Sequence, residues 1–271
     1  MFLHFGLLLF LPQGLYGKVD ISEAKDGDSR IIGGKDATPG MAKYQVSIRT
    51  HNGEKEWHTC GGSIINQQYI LTAARCIVGK RADELSIVVG SHQINTGGTR
   101  HKIKKLVPHE KFSKATGKND IGVVQVKGKI QYNDNVQPIQ LVKQHIRIGR
   151  KCLLTGWGKT DLKKNIYPNN LQILYFQTVS NYGCTKKLYT RPSVRPGLPV
   201  NNGQLCAKHP KNQGMCHGDS GGPLVFEEGN KFLQLGVASW GISCAKDFPD
   251  VFASVPGNYA WIQSKIKLSN S

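Results

Sequence analysis

Short runs of period-two alternation, broken repeatedly by glycine and proline, constrain this chain more than any other feature. Tyr44, Val46 and Ile48 alternate with Gln45, Ser47 and Arg49. Leu85, Ile87 and Val89 alternate with Ser86 and Val88. That period places one set of side chains on one face of a strand. The 31 glycines and 12 prolines supply many short turns between such strands. The pattern predicts an all-β chain. Only its end reads differently. Tyr259, Ile262 and Ile266 recur at helical spacing over residues 259–268, and Lys265 and Lys267 suit a helix C-terminus.

The N-terminal end carries a different signal. Phe2 to Leu11 is an apolar run too short to cross a bilayer, placed as the hydrophobic stretch of a secretory signal peptide expected over residues 1–17. A polar segment, residues 18–30, follows, with Asp20, Glu23, Asp26 and Asp28, and it ends at Arg30. No later run is long and apolar enough to anchor the chain, so a secreted, extracellular protein without a membrane partner is expected. The seven cysteines, Cys60, Cys76, Cys152, Cys184, Cys206, Cys216 and Cys244, should then be mostly oxidised. Their positions leave the connectivity open.

The formal charge is +18, and the basic residues cluster. Arg100, His101, Lys102, Lys104 and Lys105 form one group, followed by Lys111, Lys114 and Lys118. Arg147, Arg150 and Lys151 form another, and Lys186, Lys187, Arg191 and Arg195 a third. Such clusters favour acidic partners, either sulfated glycans or acidic protein surfaces. A generally basic surface with no specific ligand is the alternative. No nucleic-acid recognition motif accompanies the charge, so no nucleic-acid partner is expected.

Four segments carry chemistry: Leu71-Thr72-Ala73-Ala74-Arg75-Cys76, Asn119-Asp120-Ile121, Gly156-Trp157-Gly158 and Gly218-Asp219-Ser220-Gly221-Gly222-Pro223. Their order and spacing resemble the trypsin/chymotrypsin family of serine proteases, whose triad runs His, Asp, Ser along the chain. The resemblance covers essentially all of Ile31–Ser271. It implies two packed six-stranded antiparallel β-barrels with a C-terminal helix, in one trypsin-like domain over residues 31–271. It implies a propeptide over residues 18–30, cut after Arg30, whose loss frees the Ile31 amine to pair with Asp219. It also implies the disulfides Cys60–Cys76, Cys184–Cys206 and Cys216–Cys244. Cys152 is left over, because the position of its usual partner holds Phe226. A buried free thiol is expected there, with a disulfide-linked dimer as the alternative.

Within the resemblance, Asp120 and Ser220 occupy triad positions, and the N–H groups of Gly218 and Ser220 form the oxyanion hole. The His position holds Arg75. A serine hydroxyl is a poor nucleophile without an adjacent base. A guanidinium stays protonated and has no lone pair to offer, so Arg75 cannot act as that base. Asp120 is expected to pair with Arg75 instead. The primary specificity pocket falls on Gly214, Met215, Ser239-Trp240-Gly241 and Asp250. Family members that select basic side chains carry an aspartate where this chain has Gly214. Asp250 either attracts a basic side chain from elsewhere in the pocket or fills the pocket. Ser91 to His109, which matches the family's calcium loop, contains no Asp or Glu, so no metal site is expected. No cofactor is expected either.

These residues lead to a secreted, catalytically inactive protease homologue that acts by protein binding. One alternative is an active serine endopeptidase with unusual catalytic residues, and another is a glycan-binding surface protein. Ala82 to Lys111 and Gly257 to Lys265 look like mite trypsin-like gut proteases, the group 3 allergens. The inactivated scabies mite paralogues of that group carry triad substitutions. That finer resemblance implies interference with host complement components.

Overall fold

Alternation in the first half of the chain closes a barrel. In a computed structural model, residues 34–161, 166–190, 200–242, 244 and 246–267 are described. The expected signal peptide, the expected propeptide and the Arg30–Ile31 junction lie outside the described residues, as do Arg191 and Arg195. A short strand, β1 (Lys35–Asp36), precedes β2 (Gln45–His51), β3 (Glu56–Ile64) and β4 (Tyr69–Thr72). A single helical turn, α1 (Ala74–Ile77), leads to β5 (Leu85–Val89), β6 (Thr99–Pro108) and β7 (Gly122–Val126). The six strands close in the order β2-β3-β4-β7-β6-β5. Val46 and Ile48 of β2 pair with Val89 and Ile87 of β5, and all four enter the core with Ile70 and Val124. Each such aliphatic side chain contributes about 1.5–3 kcal/mol on burial.

The second half repeats the architecture. β8 (Gln140–Leu141), β9 (Lys151–Gly156) and β10 (Gln172–Val179) lead into α2 (Asn181–Leu188). Then follow β11 (Gln204–Lys208), β12 (Pro223–Glu228), β13 (Lys231–Trp240) and β14 (Asp250–Ser254). β9 pairs with both β10 and β12, which closes the ring β9-β10-β11-β14-β13-β12. β1 adds to β10, and β8 runs parallel to β13. The fold is thus two six-stranded antiparallel barrels, followed by the C-terminal helix α3 (Tyr259–Lys267). Ile262 of α3 is buried in the first barrel's core cluster. The helix is further held where Trp261 donates to Glu110 (2.7 Å) and stacks on His109 (centroids 4.7 Å apart).

The polar set of β2 does not face water. Gln45 and Ser47 are as buried as Val46 and Ile48, because the second barrel covers that face. The seam is polar and paired: Thr155 of β9 donates to Gln45 Oε1 (2.6 Å), and Ser63 of β3 donates to Gln234 Oε1 of β13 (2.6 Å). Buried polar groups keep their cost low only when satisfied in this way. The disulfides Cys60–Cys76, Cys184–Cys206 and Cys216–Cys244 are formed, and Cys152 is a buried free thiol. Its neighbourhood contains Phe226, whose ring lies under the Arg150 guanidinium (4.7 Å). Burial pushes the Cys152 thiol up to about 12, which keeps it unreactive. No helix among the described residues is long and apolar enough to cross a membrane.

The seam gives a direct test. Thr155→Val keeps the volume of the side chain and removes the donor to Gln45. It should lower stability by about 1–3 kcal/mol, read as a lower denaturant midpoint with an unchanged slope.

Candidate active site

The site is assembled where the two barrels meet. Gly61 of β3 donates its N–H to the Ser220 carbonyl (2.8 Å). A Cβ on Gly61 would lie 2.8 Å from the Gly222 Cα, so the strand and the loop approach with no side chain between them. Gly221, at φ 84°, has Thr72 and the Gly61 carbonyl in the space a Cβ would need. Only glycine adopts that backbone there without strain. The Cys60–Cys76 bridge ties α1 to β3 beside the same loop. Arg75 of α1 and Ser220 therefore face the same seam.

Asp120 lies in the segment leading to β7 and is fully buried. Its Oδ1 accepts from the Arg75 backbone N–H (2.9 Å). Its Oδ2 accepts from Arg75 Nε (2.5 Å) and from the Ser239 hydroxyl (2.6 Å). Arg75 Nη2 reaches Ser239 Oγ at 3.4 Å. The expected Arg75–Asp120 ion pair is thus present, with one side of the guanidinium turned toward Asp120 and Ser239. About a third of the Arg75 side chain remains exposed (32%). Among the described residues nothing hydrogen-bonds the Ser220 hydroxyl, and no histidine pairs with it. His217 is exposed.

The loop before Ser220 is pinned by groups that the sequence reading missed. His58 of β3 donates from Nε2 to the Gly218 carbonyl (2.9 Å), and its Nδ1 meets Ser47 Oγ (2.8 Å). A carbonyl can only accept, so Nε2 carries the proton and Nδ1 accepts from the serine. Arg49 in turn donates to Ser47 Oγ (3.3 Å). Burial holds His58 down at about 4, so the ring stays neutral in this chain of bonds. No local sequence signal marks His58, because its acceptor lies 160 residues along the chain.

Asp219 is buried and accepts from the Gly158 N–H (2.8 Å) and the Cys216 N–H (2.8 Å). Burial pushes it up to about 6, against the pull of those two donors. Its expected partner, Ile31, lies outside the described residues. Of the residues expected to line a pocket, Asp250, Met215 and Gly241 come together. Asp250 opens β14, is buried, and accepts from the Met215 N–H (2.9 Å). His209 Nε2 lies 3.8 Å from the same carboxylate. A Cβ on Gly241 would collide with Asp250 Oδ1 and lie 3.7 Å from Met215 Cε. Two side chains, Asp250 and Met215, therefore occupy the space against Gly241, beside buried Gly214. Trp240 packs on Gly117, where a Cβ would lie 2.5 Å from the indole Nε1. No cluster of metal-ligating side chains occurs among the described residues.

The comparisons with known proteins agree with this architecture. The family profile described as Trypsin matches residues 31–262. Trypsin theta of Drosophila melanogaster is 33% identical over 250 residues, covering 91% of this chain and 90% of its own length. Chymotrypsin-2 of Vespa crabro is 36% identical over 234 residues, covering 86% of this chain and 98% of its own. The clotting factor G beta subunit of Tachypleus tridentatus is 33% identical, covering 87% and 79%.

The buried carboxylate of Asp250 predicts a pH dependence. Burial first, and the nearby Asp219 charge last, push Asp250 up to about 8, while the Met215 N–H pulls the other way. A carboxyl whose folded value lies above its unfolded value of about 3.9 loses stability as pH rises between the two. Asp250→Asn removes that titration. Its stability relative to the unsubstituted protein should rise from pH 4 to pH 8 and then level off, as measured by urea unfolding across that range.

Proposed function

Because this chain belongs to the trypsin family, we propose that it is an extracellular member that has lost peptide-bond hydrolysis and acts by binding. The observation that carries this reading is the Arg75–Asp120 pair. In the triad, the middle group takes the serine proton and later returns it to the leaving amine. Arg75 fills that place with a permanently charged donor, and its Nε is committed to Asp120. In another triad protease, loss of the base costs about 10⁶ in kcat, roughly 8 kcal/mol of transition-state stabilisation. The filled space against Gly241 works in the same direction, since it denies a large substrate side chain its pocket. Three disulfides fit an oxidising, extracellular setting. The resemblance of Ala82–Lys111 and Gly257–Lys265 to mite proteases makes host complement components the protein partners to test first. Reduced complement-mediated lysis on adding the protein to serum is the expected result.

A basic face supplies a second binding surface. The register of β6 against β7 shifts between Ile103 and Lys105, so a bulge interrupts the alternation. Lys104 and Lys105 both become exposed as a result, next to exposed Lys102. Lys127 donates its backbone N–H to the Lys102 carbonyl (2.8 Å), which brings a fourth exposed lysine alongside. None of these four has an acidic partner among the described residues. The occupant that this face suits is a sulfated glycan.

Two measurements test these readings. After cleavage at Arg30, the protein should neither hydrolyse peptide amides nor label at Ser220 with a fluorophosphonate. Arg75→His should gain labelling by orders of magnitude, and ordinary protease turnover by the unsubstituted protein would sink the proposal. On immobilised heparin, reversing Lys102, Lys104 and Lys105 to Glu should lower the eluting salt concentration markedly. Unchanged retention would remove this face as the glycan site.

A further inference from the structure

Two backbone N–H groups next to Ser220 are aimed by their own peptide planes. The His217 carbonyl accepts from the Lys159 N–H (2.8 Å). In a planar trans peptide the N–H points opposite to the carbonyl, so the Gly218 N–H is turned away from Lys159. The Asp219 carbonyl accepts from the Gly222 N–H (2.9 Å), which turns the Ser220 N–H away in the same manner. Neither N–H has an acceptor among the described residues. Across the seam, Arg75 spends Nε and one side of Nη2 on Asp120 and Ser239. Its Nη1 has no acceptor among the described residues, and the side chain is part-exposed.

Preorganised N–H groups of this kind favour an oxygen that carries negative charge. Without a base, no tetrahedral oxyanion forms from a bound amide at a useful rate. The stable anion of matching chemistry is a carboxylate. One of its oxygens suits the N–H pair and the other the guanidinium, in a charge-assisted contact. A peptide carries such a group at its C-terminus, and backbone N–H groups are a recurring means of capturing it. The end of β13 favours an extended peptide, because the backbone groups of Gly241 have no partner among the described residues. Met215 and Asp250 against Gly241 leave room only for a small terminal side chain.

We propose that the Gly218 and Ser220 N–H groups, with the Arg75 guanidinium, form a receptor for the C-terminal carboxylate of a peptide ending in glycine or alanine. The proposal rests on the reading that Ser220 is not activated. The replaced base then converts a site for a fleeting anion into one for a permanent anion.

The test compares three fluorescent N-acetyl tetrapeptides on the full chain: one ending in Gly with a free carboxylate, its C-terminal amide, and one ending in Leu with a free carboxylate. The Gly acid should bind about tenfold or more tightly than either of the others. Arg75→Gln should weaken the acid several-fold more than it weakens the amide. Equal affinity for acid and amide, or no binding of the acid at millimolar concentration, overturns the receptor. The acid-against-amide comparison on the unsubstituted protein decides the matter even if the variant fails to fold. Cleavage of the amide peptide would instead overturn the inactive-serine reading, so the two failures are separate.

Discussion

The site depends on the close approach of Gly61 to Gly221 and Gly222. No side chain separates β3 from the loop that carries Ser220, and the Gly61 N–H bonds directly to the Ser220 carbonyl. That contact docks one barrel on the other beside the bonds from Ser239 to Asp120 and from His58 to Gly218. It brings α1, which carries Arg75, beside the Ser220 loop, where Cys76 Sγ lies 3.6 Å from the Ser220 carbonyl oxygen. The pair Thr155–Gln45 and the pair Ser63–Gln234 hold the rest of the seam with buried, satisfied polar groups. Because these contacts leave Arg75 out, the position of Ser220 does not require a working triad.

That independence explains how a charged arginine is accommodated. Asp120 is fully buried, and a buried carboxylate without partners costs several kcal/mol. Such a loss is a large share of the about 5–15 kcal/mol that holds a typical domain folded. Here the Arg75 N–H, Arg75 Nε and the Ser239 hydroxyl supply three donors. The carboxylate is satisfied by all three, so an arginine at this position is compatible with the fold. Likewise, His58 and Lys159 fix the loop before Ser220 through contacts on its far side. The placement of the loop before Ser220 is therefore separable from the identity of residue 75.

The barrels were legible because period two and glycine punctuation are local signals. The Arg75–Asp120 pair was legible because the motifs fixed which residues meet and charge fixed how. The burial of Gln45 and Ser47 was not legible. Alternation assigns side chains to faces but does not say that a second barrel covers the polar face. His58 was missed for a similar reason, since its acceptor is a backbone carbonyl 160 residues away. The bulge that exposes Lys104 beside Lys105 is a register event between β6 and β7, and a single strand's pattern does not encode it. At Asp250, the sequence offers two roles, attraction of a basic side chain or occupancy of the pocket. Its bond from the Met215 N–H was not legible, because a backbone donor is invisible to side-chain reasoning.

On the proposed reading, the occupancy against Gly241 and the replaced base would act on different steps. A base lowers the barrier of the chemical step, whereas a pocket supplies binding energy that positions the scissile bond. Asp250 and Met215 occupy the pocket from two segments, β14 and the loop after β11, and are joined by a hydrogen bond. Neither residue touches Arg75 or Asp120 through any described contact. Losses at sites without shared partners add as free energies and so multiply as rates. On the proposed reading, Arg75→His would therefore restore less turnover than the base alone supplies. The same filled pocket leaves the backbone edge at Gly241 and the N–H pair as the recognition features open to an extended chain.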